Sequence, residues 1–117
     1  MMEIQPKFQI LYTEEAVEFL ESLEEKARAK VVYNIGKCRY YIDRELFKKL
    51  EGSEIWEFRT LYAGIQYRLF AFWDADNETV VVATHGIVKK TQKTPAKEIA
   101  KAERIMREYF EDKREKI

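Results

Sequence analysis

The 117-residue chain has one cysteine, one histidine, two prolines and four glycines, and its 21 Lys and Arg balance 21 Asp and Glu. Each shortage excludes something. Cys38 stands alone and cannot form an internal disulfide, and no second histidine joins it to make a zinc site. The chain reads as metal-independent and suited to a reducing compartment. Few Pro and Gly, with 14% aromatic residues, argue against disorder despite 36% charged residues. No apolar run approaches the roughly 18 residues of a membrane span, and MMEIQPKF lacks the basic-then-apolar layout of a signal peptide, so a cytoplasmic protein with no membrane role is expected. The nucleotide-binding patterns G-x-x-x-x-G-K-[ST] and G-x-G-x-x-G are missing, and no cofactor is expected. Ser53, His85 and Asp74 could make a hydrolase triad on paper, but no nucleophile elbow surrounds the serine.

What is present is most simply one domain spanning 1–117, long enough to bury about two-thirds of its unfolded surface. Zero net charge provides no long-range basic field. The charge is nevertheless segregated along the chain. Residues 14–25 carry six Glu and no Lys or Arg, whereas 79–97 carry four Lys, His85 and no acid.

Residues 7–12, KFQILY, read as a first strand, and Thr13 before Glu14 and Glu15 reads as a helix N-cap. Val17, Leu20, Leu23, Ala27, Val31, Ile35, Cys38 and Ile42 recur at helical spacing and predict one buried stripe. Ser22-Leu23-Glu24-Glu25 matches a capping box and predicts a break there, hence a helical hairpin. Gly36 inside the second helix costs about 1 kcal/mol. After Gly52-Ser53 the period becomes two: residues 55–62, 66–73 and 79–85 predict three strands in an antiparallel meander, turning at Ala63-Gly64 and at Asp74–Glu78. Thr94 as N-cap and Pro95 at the first helical position predict the start of a last helix whose inner stripe is Ile99, Ala102, Met106 and Tyr109. The expected class is α+β, in the order β-α-α-β-β-β-α.

If Ala63-Gly64 is a two-residue loop, Arg59 lies directly opposite Arg68. Facing guanidinium groups repel by some tenths of a kcal/mol to about 1 kcal/mol, so the pair is either a fork for an anion such as phosphate or is neutralised by a local acid, Glu57 or Glu54. A four-residue loop in the next turn sets His85 opposite Arg68; a five-residue loop sends it to the other face. Imidazole is the side chain best suited to move a proton near neutral pH, although a lone strand-end histidine is more often packed. Lys89, Lys90 and Lys93 follow the strand, where they could hold a polyanion or simply keep a loop solvated.

The segments IWEFRTLYAGIQYRLFAFWD and VVVATHGIVKKTQKTPAKEIAKAERIMREY, with the pattern W-E-x-R, Y-R-L and H-G-x-x-K-K-T-x-K-T-P, closely resemble the phage-protein-like branch of the RelE/HigB toxins of type II toxin–antitoxin systems. The resemblance implies a helical hairpin and a C-terminal helix on a small twisted, mainly antiparallel sheet. It also implies an endoribonuclease, an mRNA interferase acting in the ribosomal A site, where the RNA 2′-OH attacks the adjacent phosphate. Its implied site is Arg68 and Arg59 on the phosphate, His85 in proton transfer, and Lys89, Lys90 and Lys93 on the RNA backbone. Replacing Arg68 with Ala should then abolish toxicity and leave the fold intact. The implied partners are a helix-turn-helix antitoxin, mRNA and the ribosome, and the expected assembly is a homodimer or a toxin–antitoxin hetero-oligomer. A ParE-like gyrase poison and an inactive antitoxin-binding co-repressor are the alternatives. The sequence departs from the better-known RelE pattern in placing Glu57 two residues before Arg59.

Overall fold

Five strands form one mixed sheet in the order β1-β5-β4-β3-β2. They are β1 (Gln9–Tyr12), β2 (Phe47–Lys49), β3 (Trp56–Tyr62), β4 (Ile65–Trp73) and β5 (Val80–Lys89). The helices are α1 (Glu14–Ser22), α2 (Glu25–Tyr40) and α3 (Ala96–Glu115). The computed structural model describes residues 4–89 and 93–115. All strand pairs are antiparallel except β1 with β5, which is parallel. The expected α+β class and mainly antiparallel sheet are borne out, with one more strand than expected.

The added strand is β2. Three residues are too few to show a period, and only Phe47 is buried, so the lysines that follow it read as a polar connection. Thr13 caps α1 as expected, its Oγ1 accepting from the Ala16 N–H at 3.1 Å. The same hydroxyl donates to the Thr84 carbonyl at 2.6 Å, which ties the helix start to β5. Within the expected stripe, Val17 faces outward and Ala16 is the buried residue of α1. The break after Ser22 occurs, but not through a capping box. Ser22 donates its hydroxyl back to the Phe19 carbonyl, Leu23 turns to an extended backbone, and Glu24 begins α2 without a side-chain cap.

The strand alternation separates two cores. Phe58, Tyr67, Leu69, Ala71, Val81 and Ala83 face Ala27, Val31, Ile35 and Cys38 of α2. Phe70, Phe72 and Val82 face Ala102, Met106 and Tyr109 of α3, so the expected inner stripe of that helix is borne out. Phe8, Phe47, Phe58 and Trp73 pack as one aromatic cluster, with ring centroids 4.2–6.3 Å apart. Phe8 therefore joins the chain's first strand region to the sheet's far edge.

The β3–β4 turn is the expected two-residue loop. Ala63 and Gly64 both have positive φ, 51° and 79°, as a type I′ turn requires. Arg59 pairs with Arg68. The β4–β5 register matches neither expectation: Arg68 pairs with Ile87, and the register shifts between Leu69 and Ala71. Leu69 faces Gly86 and Ala71 faces Ala83, so Thr84 and His85 together oppose Phe70 in a β-bulge. At the other end, Asp74 accepts hydrogen bonds from Tyr109 and Lys113 of α3 at 2.6 and 2.8 Å.

Candidate functional site

Odd-numbered residues of β3 and their even-numbered partners on β4 share the sheet face toward α3, and three of them are Glu57, Arg59 and Arg68. Glu57 is the hub. Its Oε1 accepts from Arg68 Nη1 at 2.6 Å and lies 3.4 Å from Arg59 Nε. Its Oε2 accepts from the Thr94 hydroxyl at 2.9 Å. One carboxylate thus neutralises part of the facing arginine pair, as the local-acid reading of those residues expected. Thr94 corrects another expectation: its hydroxyl goes to Glu57 rather than capping α3, whose first turn hydrogen-bonds to the Pro95 carbonyl instead.

Arg68 is only 1% exposed. Its Nη2 donates to Gln66 Oε1, and its Nε has no hydrogen-bond partner among the described residues. Burial lowers its pKa, Glu57 opposes that and Arg59 adds to it; an arginine stays charged regardless. Lys89 is the last residue of β5 and is also buried. Its pKa is lowered by burial first, then by Arg68. Three cations therefore surround Glu57.

Above this cluster lies a cleft of about 520 Å³, whose charged walls are Lys48, Lys49, Glu51, Glu57, Arg59 and Lys93. A second cleft of about 450 Å³ shares Lys48, Lys49 and Arg59 and adds Arg44, Glu45, Phe47 and Trp56. Four cations against two acids make the first cleft an electropositive recess. The β2 lysines were missed in the sequence, and the only signal for them was a Lys-Lys pair after a lone phenylalanine.

The expected site residues do not all gather here. Arg59 and Lys93 line the cleft, Arg68 and Lys89 lie buried beneath or beside it, and Lys90 lies outside the described residues. His85 is elsewhere, packed against the Phe70 ring at 4.9 Å and 2% exposed. Its Nε2 is 3.1 Å from Glu98 Oε1 and its Nδ1 is 3.0 Å from Thr84 Oγ1. The carboxylate favours the tautomer with hydrogen on Nε2, which leaves Nδ1 as an acceptor beside the Thr84 hydroxyl, whose single hydrogen is shared with the Phe70 carbonyl at 3.3 Å. Burial lowers the His85 pKa, and the Glu98 hydrogen bond works against it. The recess beside it, about 240 Å³, is walled by Glu15 and Glu18, charges that repel phosphate. Gly86 is required here because the Phe19 ring occupies the space where a Cβ would stand. Among the described residues, no group of three or more His, Cys, Asp or Glu could hold a metal ion, and no helix is long and apolar enough to cross a membrane.

Solved structures share this fold. The toxin–antitoxin complex RelBE2 from Mycobacterium tuberculosis is 23% identical over 72% of this chain and 99% of that one, with a TM-score of 0.54. The intact Escherichia coli RelBE toxin–antitoxin complex is 17% identical over 74% of this chain and 99% of that one, with a TM-score of 0.53. At these identities the likeness is one of fold. No curated protein matches the sequence. Residues 18–107 do match the family described as Phage derived protein Gp49-like (DUF891). That span runs from α1 into α3 and includes the Glu57 hub, both clefts and the His85 bulge, and through it the chain belongs to the Gp49-like family of phage-derived proteins.

Proposed function

We propose that this protein is the toxin of a type II toxin–antitoxin pair and cuts mRNA on the ribosome. The observation that carries the reading is the cation-walled cleft over Glu57, with Lys48, Lys49, Arg59 and Lys93 around one recess. In the reaction the RNA 2′-OH attacks the adjacent phosphorus and loses its proton, and the 5′-oxygen of the next nucleotide leaves with a proton, so that a cyclic phosphate remains. Negative charge builds on the phosphoryl oxygens, and cations fixed beforehand stabilise it without reorganising. Glu57 fixes Arg59 at 3.4 Å and Arg68 at 2.6 Å. Arg59 and the lysines would touch the phosphate, Lys89 and Lys90 would extend the backbone contact, and Arg68 would act from beneath through Glu57. Proton transfer is assigned to His85, and that role requires RNA entry to part the first turn of α3 from β5. A helix-turn-helix antitoxin is the proposed partner, in keeping with the two toxin–antitoxin complexes of like fold.

Induction of Arg59→Ala and of Lys48→Ala/Lys49→Ala in growing cells, with primer-extension mapping of transcripts, tests the reading. The parent should stop growth and leave translation-dependent cuts, and each variant should lower cutting at least tenfold with the fold intact. Undiminished cutting by both would remove the cleft from the mechanism. A non-enzymatic toxin or co-repressor is favoured by one observation, the burial of Arg68 and His85. It is the correct reading if the parent yields no cut transcripts yet binds its antitoxin.

A further inference from the structure

We propose that the solvent face of α2 is a track for single-stranded RNA that leads into the cleft around the β2 edge. The track extends the RNA contact of the proposed function, and takes from that reading the identity of its polyanion.

Lys26, Lys30, Tyr33, Lys37 and Tyr40 are all exposed and follow one another at spacings of four, three, four and three. At 3.6 residues per turn they stand in one row. Between Lys26 and Ile42 there is no Asp or Glu. Among the described residues, none of the three lysines forms an ion pair. An ordinary surface helix interleaves its lysines with acids three or four residues away. Here the acids are collected on α1, which has Glu14, Glu15, Glu18 and Glu21 and no cation. The consequence is a cationic face without local neutralisation, beside an acidic helix that a polyanion would avoid.

The tyrosines are a second, separate feature. Tyr33 is 65% exposed, Tyr40 47% and Tyr41 67%, a concentration of ring surface unusual for a face with only water against it. Lys30 Nζ lies 5.7 Å from the Tyr33 ring centroid and Arg39 Cζ 5.9 Å from that of Tyr40. Tyr33 and Tyr40 thus each have a cation beside the ring, which is the pairing of stacking platform and phosphate contact that single strands use. Gly36 lies on the same face between the two rings. Glycine is a poor helix-interior residue, and nothing lies within 4 Å of where its Cβ would be, so no packing inside the protein accounts for it. Its missing side chain leaves a low point over which a base or backbone can pass.

Continuity comes from Arg44, just beyond α2, which lines the cleft that also contains Lys48, Lys49 and Arg59. Asp43 and Glu45 flank Arg44, yet Arg44, Lys48, Lys49 and Arg59 outnumber Glu45 on this cleft, so the surface stays cationic from the helix end to the candidate site. A protein partner can also bury tyrosines and pair lysines, so the choice of RNA rests on the position of the row, which ends at Arg44 on the cleft where the proposed function places RNA.

The test uses the full chain and a fluorescent 2′-O-methyl oligouridylate of about 12 nucleotides, which lacks the attacking hydroxyl and cannot be cut. Binding is measured by anisotropy between about 50 and 200 mM salt. Tyr33→Ala and Tyr40→Ala should each weaken binding roughly tenfold, while Tyr33→Phe retains it. Lys26→Ala/Lys30→Ala/Lys37→Ala should lower the log–log salt slope by about 2. Gly36→Glu should weaken binding while Gly36→Ala raises thermal stability. All these residues are exposed, and circular dichroism checks that the variants fold. Unchanged affinity in the tyrosine and lysine variants overturns the track, as does a result in which they lose only antitoxin binding. A parent that binds the oligomer through α2 but cuts no transcript would sink the nuclease reading and leave the track standing. A parent that cuts transcripts but binds equally well without the α2 residues does the reverse.

Discussion

Glu57 is the residue on which both stability and chemistry converge. It is 3% exposed and bonded to an arginine that is 1% exposed, so neither charge can be relieved by water. Removing one partner from a buried pair costs about 3–5 kcal/mol, because the other is left uncompensated. Glu57→Gln should therefore lower the melting temperature by roughly 10–20 °C, and Arg68→Ala should do nearly the same. That corrects the expectation that Arg68→Ala would leave the fold intact: its loss of activity could not be told from loss of structure. Glu57→Met/Arg68→Met, which removes both charges, should recover much of the stability in the same melt, and a double variant as unstable as the two losses added would contradict the pairing. His85 is the only histidine and gives a clean pH signature. Its pKa is lowered by burial from the ordinary 6.5, against the Glu98 bond and with help from Lys101. The unfolded chain thus takes up this proton at higher pH than the folded one. The stability from a neutral buried ring is complete above about 6.5 and is lost as pH falls through the lower folded value. Urea midpoints measured from about pH 7.5 to 5 should fall for the parent and flatten for His85→Gln. Parallel curves for the two proteins would place the proton elsewhere. Asp74 acts in a lower window: burial would raise its pKa, but bonds from Lys113, Tyr109 and the Asp76 amide bring it below 3.8. Its contribution is present above that value and lost as pH falls further.

At the scale of elements, the two hairpins differ in how much their turns dictate. Ala63-Gly64 holds β3 and β4 in register, and with it Arg59 against Arg68. Gly64 suits its positive φ, but Ala63 at φ 51° carries a Cβ in the left-handed region. Ala63→Asn should stabilise the protein by about 0.5–1 kcal/mol, since Asn-Gly is the favoured type I′ pair. A denaturation midpoint that does not rise would mean the strands, and not the turn, set this register. The β4–β5 hairpin is different. Its register changes within the strands, at the bulge opposite Phe70, so loop length did not determine the face of His85. Counting residues through Asp74–Glu78 led to two expected registers, and the chain adopted a third. The reason is long-range: the Thr13 hydroxyl holds the Thr84 carbonyl, Glu98 holds the His85 ring, and the Phe19 ring excludes any side chain at position 86.

For the molecule as a whole, a zero net charge conceals a spatial division. Acid lies on α1 and around His85, while cations line α2, the β2 edge and the cleft. The division between α1 and the 79–97 segment was visible as charge runs, but the cationic side has a wider origin than the HGIVKKTQKTP stretch suggested. Lys48 and Lys49 join it only because Phe47 docks into the aromatic cluster with Phe8, Phe58 and Trp73 and adds a fifth strand to the sheet. By itself the sequence determined the fold class, both helices of the hairpin, the meander, the inner stripe of α3 and the Arg59–Arg68 pairing. These follow from local periodicity and from one two-residue turn, interactions whose range is a few residues. Only the tertiary structure decided that Glu57 sits between those arginines, that Thr94 serves Glu57 and not its helix, that the β2 lysines wall the cleft, and that His85 is sealed beneath α3. Those outcomes depend mainly on groups 11 to 39 positions apart, and burying the Phe47 ring or pairing a buried charge or polar group overrides what local pattern would choose.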